Sequence, residues 1–154
     1  MIVDIIQLML APGLMISACG LLLLAMNNKY SLVVNRIRLL NEERRKMIIH
    51  AAGRELEYEE NIRLESISKQ LLKLVYRVKL VRNAVFSYTL AVALFIITSL
   101  FIGLGFIFDS NKIDVIVIPI FLMGMISVLC GIIFAAYETL KGYEIIQLEV
   151  KIDE

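Results

Sequence analysis

A chain of 154 residues that is 59 % hydrophobic, with a mean hydropathy of +0.78, is too apolar for an ordinary soluble domain. Its formal net charge of +1 hides a strong asymmetry, because 13 of the 16 basic residues lie between Lys29 and Arg82. Cys19 and Cys130 both fall in apolar runs, so the chain carries no disulfide framework of the kind secreted scaffolds use.

The first apolar run is Ile5–Met26, 22 residues without a Lys, Arg, Asp, Glu or His. At 1.5 Å per residue, about 20 apolar residues cover the roughly 30 Å hydrocarbon core of a bilayer, so this run predicts a transmembrane helix. Within it, Ile16-Ser17-Ala18-Cys19 has the look of the sequence that precedes a lipid-modified cysteine. A signal segment needs a positive region ahead of its apolar stretch, whereas only Asp4 stands there, and the run continues past the cysteine to Met26. An uncleaved first helix is the expectation.

Residues 27–83 form the polar block. It holds 13 basic and 7 acidic residues, no proline, and a single glycine, Gly53. From Leu64 the apolar positions run Leu64, Ile67, Leu71, Leu74, Val78, Val81, Val85, Tyr88, an unbroken 3-4 alternation that reads as an a/d heptad seam. Upstream, Val33, Ile37, Leu40 and Met47 keep the same spacing with Arg44 interrupting. Gly53 permits a reversal, Asn61 suits an N-cap, and Glu55, Glu57, Glu59 and Glu60 suit an exposed tip. The block therefore predicts a helical hairpin whose arms prolong the first and second spans. Its seam has to pack on the hairpin's own partner arm, on a sister subunit, or on both.

The second and third runs are Ala84–Phe108 (25 residues) and Val115–Tyr137 (23 residues), again without a Lys, Arg, Asp, Glu or His. The short connection 109–114 carries Asp109, Lys112 and Asp114. In the tail, residues 138–154, Ile146, Leu148, Val150 and Ile152 alternate with polar residues as in a strand, while Ile145, Leu148 and Ile152 share one helical face. An isolated strand would have no partner in one subunit, so helix is the preferred reading. The expected fold is an all-α integral membrane protein, with three transmembrane helices and a long cytoplasmic helical hairpin between the first and second. The excess of Lys and Arg puts residues 27–83 and the C-terminus in the cytoplasm, and the N-terminus and the 109–114 turn outside.

The stretch Leu10-Ala11-Pro12, Ile16-Ser17-Ala18-Cys19-Gly20-Leu21-Leu22, then Asn28-Lys29 and Asn35-Arg36-Ile37-Arg38, resembles a bacterial membrane family catalogued as domain of unknown function 2721. The basic approach Tyr76-Arg77-Val78-Lys79-Leu80-Val81-Arg82-Asn83-Ala84 fits it too. The resemblance covers nearly the whole chain. It implies three membrane helices with a cytoplasmic helical loop, in the bacterial inner membrane, and it implies no activity and no functional residue.

Enzymatic groups are scarce. The single histidine, His50, reads as an exposed helix residue near the hairpin tip, and there is no HExxH and no glycine-rich phosphate loop. Ser17 and Cys19 have no base near them in the spans. No ionisable residue lies within a span to couple transport to protons. The Glu55–Glu60 cluster suits a solvated tip better than a cation site. These features point away from an enzyme, a metal or organic cofactor, and a nucleic-acid partner; the basic residues are interleaved with Glu and form no continuous patch.

The spans do contain small residues at helical spacing. Gly13, Ser17, Gly20 and Leu24 share a face in the first; Ala84, Ala91, Thr98 and Gly105 recur in the second; Ser127, Gly131 and Ala135 recur in the third, with Gly124 on nearly the same side. Such faces allow close helix approach and suggest a homo-oligomer, against the alternative of packing within one subunit. Pro12 and Pro119 can bend their helices near the outer ends, either as ordinary kinks or as part of a gate. The leading expectation is a homo-oligomeric channel or passive pore for small ions, cations in particular. Gln7, Gly13, Ser17, Gly20 and Asn27 are its candidate lining, Asp4, Asp109 and Asp114 its outer mouth, and Asn28 and Arg36 its inner mouth. The alternative is a non-conducting scaffold or regulatory subunit that recruits a cytoplasmic partner through the hairpin.

Overall fold

A computed structural model describes the backbone of residues 2–50, 58–107 and 114–152 and the side chains of residues 6–50, 58–106 and 115–142. Three helices make up all of it: α1 Ile2–His50, α2 Tyr58–Ile107 and α3 Asp114–Ile152. All three are long and apolar enough to cross a membrane. α1 has 49 residues, so it is about 74 Å long and reaches far beyond one hydrocarbon core. Pro12 and Pro119 lie inside α1 and α3, and neither ends its helix. α3 runs to Ile152, so the alternating tail is helical. The reversal around Gly53 and the connection 109–114 lie outside the described residues, apart from the start of α3.

The architecture is centred on α2. It packs along both α1 and α3, while α1 and α3 barely touch. Against α1 the packing is antiparallel and advances by sevens. Val33 and Leu40 cluster with Ile67 and Leu74; Met26 with Val81, Ala84 and Tyr88; Cys19 with Ala91 and Phe95. Ile37, Met47, Leu71 and Val78 flank the first of these clusters. The heptad seam expected of the polar block is therefore closed between its own two arms. Arg63 adds a cross-arm bond to Glu43, donating from Nε over 3.0 Å, on an exposed surface where such pairs contribute little.

Against α3 the period is the same but the means differ. Gly124 and Gly131, seven residues apart, receive the rings of Phe95 and Tyr88. A Cβ at Gly124 would stand 2.7 Å from Phe95, and one at Gly131 would stand 2.6 Å from Tyr88. Phe95 also meets Phe121 at a ring separation of 5.4 Å. Ser127 donates its hydroxyl to the Ser87 carbonyl at 2.8 Å, an interhelical bond worth about 1 kcal/mol in a lipid setting. The small residues of α2 and α3 are thus used inside the subunit: Ala84, Ala91, Thr98, Gly124 and Gly131 are all buried.

The first span behaves differently. Nothing lies within 4 Å of a Cβ built on Gly13 or Gly20. This contrast is testable. Gly131→Ala should drive α3 away from the Tyr88 ring and cost about 1–3 kcal/mol, whereas Gly20→Ala should cost no packing energy. Unfolding of the purified protein in mixed micelles by SDS reads the difference; equal midpoints for the two variants would contradict the packing described.

Candidate functional site

The sequence-derived lining lies on one exposed side of α1. Gln7, Gly13, Ser17, Gly20 and Asn27 are all exposed, and none belongs to a packed cluster. Gly13, Gly20 and Asn27 are spaced by sevens and Ser17 falls between them, so they follow the same helical period as the buried row Pro12, Cys19, Met26, which lies about 100° round the helix. Ser17 donates its hydroxyl to the Gly13 carbonyl at 3.2 Å, four residues back in its own helix. Its polarity is therefore absorbed locally, and its face stays open. Pro12 is buried in the row that faces α2, whereas Pro119 is exposed on α3.

Of the proposed mouths, Asn28 and Arg36 are exposed on α1, and Arg36 already has an interaction partner. The side chains of Asp4, Asp109 and Asp114 lie outside the described residues, as do those of Glu55 and Glu57. His50 is exposed at the end of α1. Among the described residues, no group of three or more His, Cys, Asp or Glu is placed to hold a metal ion.

One chemical constellation was not anticipated. Glu138, at the first position after the third apolar run, is 1 % exposed and joins all three helices. Arg77 of α2 donates to its Oε1 from both Nε, at 3.1 Å, and Nη2. Lys29 of α1 donates to its Oε2 at 3.0 Å and to the Thr139 hydroxyl at 3.0 Å. Thr139 in turn donates to the Ala135 carbonyl. Gly142 leaves room for the guanidinium, since a Cβ there would lie 3.0 Å from Arg77 Nη2. One carboxylate is thus saturated by two cations. Among the described residues, no buried side-chain nitrogen or oxygen lacks a hydrogen-bond partner.

A signal for Glu138 did exist in the chain. Gly124, Gly131 and Glu138 are spaced by sevens, so the acid continues the face that α3 turns to α2. Reading the apolar run as ending at Tyr137 put it in the tail and hid that register.

Tyrosines flank the junction on all three helices. Tyr30, Tyr76 and Tyr137 stand next in sequence to Lys29, Arg77 and Glu138, and all three tyrosines are exposed. Tyrosine concentrates where hydrocarbon meets water, and here three of them surround one ionic junction. The first apolar run, Ile5–Met26, ends three residues before Lys29, and its 22 residues are about 33 Å long as a helix, the thickness of a bilayer core.

Three helices long and apolar enough to cross a membrane define a multi-pass helical membrane protein. The chain belongs to the DUF2721 family, described as "Protein of unknown function", whose profile matches residues 9–148. Neither the curated proteins nor the solved structures contain a match to it.

The junction predicts an order of sensitivity. Glu138→Leu strands two cations, one of them Arg77 at 22 % exposure, and should cost about 2–4 kcal/mol. Lys29→Ala removes a side chain that is 43 % exposed and should cost under about 1 kcal/mol. Chemical unfolding in micelles, followed by helical circular dichroism, tests this ranking; a larger loss for Lys29→Ala would reverse it.

Proposed function

We propose that the protein is a homo-oligomeric membrane pore that passes small ions, chiefly cations, without coupling to a second substrate. The observation that carries the reading is the uncommitted face of α1. Gly13, Ser17 and Gly20 are small or polar, exposed and at mid-membrane; no described atom lies within 4 Å of a Cβ built on Gly13 or Gly20, and Ser17 bonds back to its own helix. In α2 and α3, Ala84, Ala91, Thr98, Gly124 and Gly131 are buried within the subunit, whereas Gly103, like Gly13 and Gly20, has no described atom within 4 Å of a built Cβ. A polar, narrow helix face in lipid gains most from another helix or from water in a lumen. The absence of Lys, Arg, Asp, Glu and His from the three apolar runs favours passive conduction.

In this reading the paired arms, residues 27–50 and 58–83, stand in the cytoplasm and carry the positive charge of the chain. The N-terminus and the 109–114 connection face outward, in the bacterial inner membrane. The second reading, a scaffold that recruits a soluble partner, has one observation in its favour. Leu32, Leu39, Leu72 and Val75 are exposed on the outer surfaces of the arms. Recruitment would use these surfaces, since the a/d seam is already occupied by the opposite arm.

Ion flux from liposomes that contain only this protein separates the two readings. Flux above that of empty liposomes, lowered at least several-fold by Ser17→Leu or Gly20→Leu, is the expected result. Absence of flux from folded, assembled protein would favour the scaffold. Orientation has its own test. After Cys19 and Cys130 are replaced, Glu57→Cys should resist an impermeant thiol reagent added outside intact cells, and rapid labelling would invert the proposed topology.

A further inference from the structure

The outer stripe of α2 faces neither α1 nor α3. It runs Val75, Lys79, Arg82, Phe86 in steps of four, three and four, with Tyr76 beside it, and all five residues are exposed. Its depth follows from the packing. Val81 packs with Met26, the last residue of the first apolar run. In the antiparallel register that sets Tyr88 against Gly131 and Arg77 against Gly142, Arg82 falls level with Tyr137, the last residue of the third run. Lys79 and Arg82 therefore sit where the neighbouring helices leave the hydrocarbon, and Phe86, 70 % exposed, sits about one helical turn inside it.

These two cations differ from those of the junction. Lys29 and Arg77 are held by Glu138, whereas Lys79 and Arg82 make no hydrogen bond or ion pair to a carboxylate among the described residues. Residues three apart on a helix are neighbours, so the two charges can converge on one anion. An anion at this depth, next to an exposed phenyl ring on the hydrocarbon side and a tyrosine on the water side, has the layout of a phospholipid: phosphate, then acyl chain.

We propose that Lys79 and Arg82 form a binding site for the phosphate of an anionic phospholipid, with its acyl chains lying along Phe86. Charge complementarity commits the surface to a lipid with a net negative headgroup. Each cation near such a headgroup contributes about a five-fold gain in affinity, and two contribute about 25-fold.

The test is native mass spectrometry of the purified full-length protein titrated with phosphatidylglycerol and, separately, phosphatidylcholine. The wild-type protein should prefer phosphatidylglycerol. Lys79→Gln with Arg82→Gln should lose about 25-fold in its affinity for that lipid, leave phosphatidylcholine binding unchanged, and keep its helical circular dichroism, since both side chains are exposed. Arg44→Gln with Arg45→Gln removes the same charge far along the arm and should change nothing. Three results would overturn the proposal: no preference for phosphatidylglycerol in the wild type, an equal loss in both double variants, or displacement of the lipid by millimolar inorganic phosphate, which would make the site one for free phosphate.

Discussion

Lipid supplies almost no hydrophobic drive for pairing one apolar helix with another, so α1 and α3 must be held to α2 by close contact and a few polar bonds. The period of seven makes that contact continuous. Two helices that repeat every seven residues keep the same faces together along a left-handed supercoil instead of drifting apart. α2 meets this demand twice. Toward α1 it presents Ile67, Leu74 and Val81 against Leu40, Val33 and Met26, a row of branched and flexible side chains. Toward α3 it presents Tyr88 and Phe95 to the bare backbone at Gly131 and Gly124. Tyr88 and Phe95 are buried nearly completely because both neighbours close over them.

The same seven-residue step that places Gly124 and Gly131 against aromatic rings places Glu138 against Arg77. A buried carboxylate is expensive, and two cations with three hydrogen bonds offset that cost without making the junction a strong net source of stability. What the junction adds is specificity. Glycines and methyl groups tolerate a slide along the helix axis, whereas a carboxylate shared between Arg77 and Lys29 accepts one register only. Glu138 also bonds α3 directly to α1, a pair of helices that otherwise scarcely meet. Its place beside Tyr137 at the edge of the apolar region makes the arrangement tolerable, because the partly exposed Lys29 and Arg77 remain within reach of water and headgroups.

The parts of the fold with a strong period were legible in the chain. Three uninterrupted apolar runs give three spans, and the 3-4 alternation from Leu64 to Tyr88 gives a helix that enters the second of them without a break, as α2 does. Gly131 and Ala84 were recognisable as small residues in a packing face. Which partner each face takes was not legible, because a glycine stripe has the same spacing whether it meets Tyr88 of its own chain or a helix of another. Glu138 escaped for a different reason. A hydropathy run ends at the first charge, so an acid that belongs to a packed face is assigned to whatever follows. Only the register of Gly124 and Gly131 places it on that face, and only the fold brings Lys29 and Arg77 to it from positions 109 and 61 residues away.

α1 carries the consequence for function. One side of it is bound to α2 from Cys19 to Leu40, and the other, with Gly13, Ser17 and Gly20, is free. In the pore reading this division separates two tasks. The bound side fixes α1 to the rest of its subunit, and the free side meets neighbouring subunits or the lumen. Lys29 then gains a second meaning, because it lies just past the inner end of the free face and is tied to α3 through Glu138 and Thr139. A rotation of α1 that altered the lumen would have to slide the packed row Met26, Val33 and Leu40 along α2 and stretch that tie together. Close-packed rows resist small continuous displacement. A subunit built this way favours discrete arrangements of α1, so conduction through it would change in steps set at the Lys29 junction and not by gradual widening of the lumen.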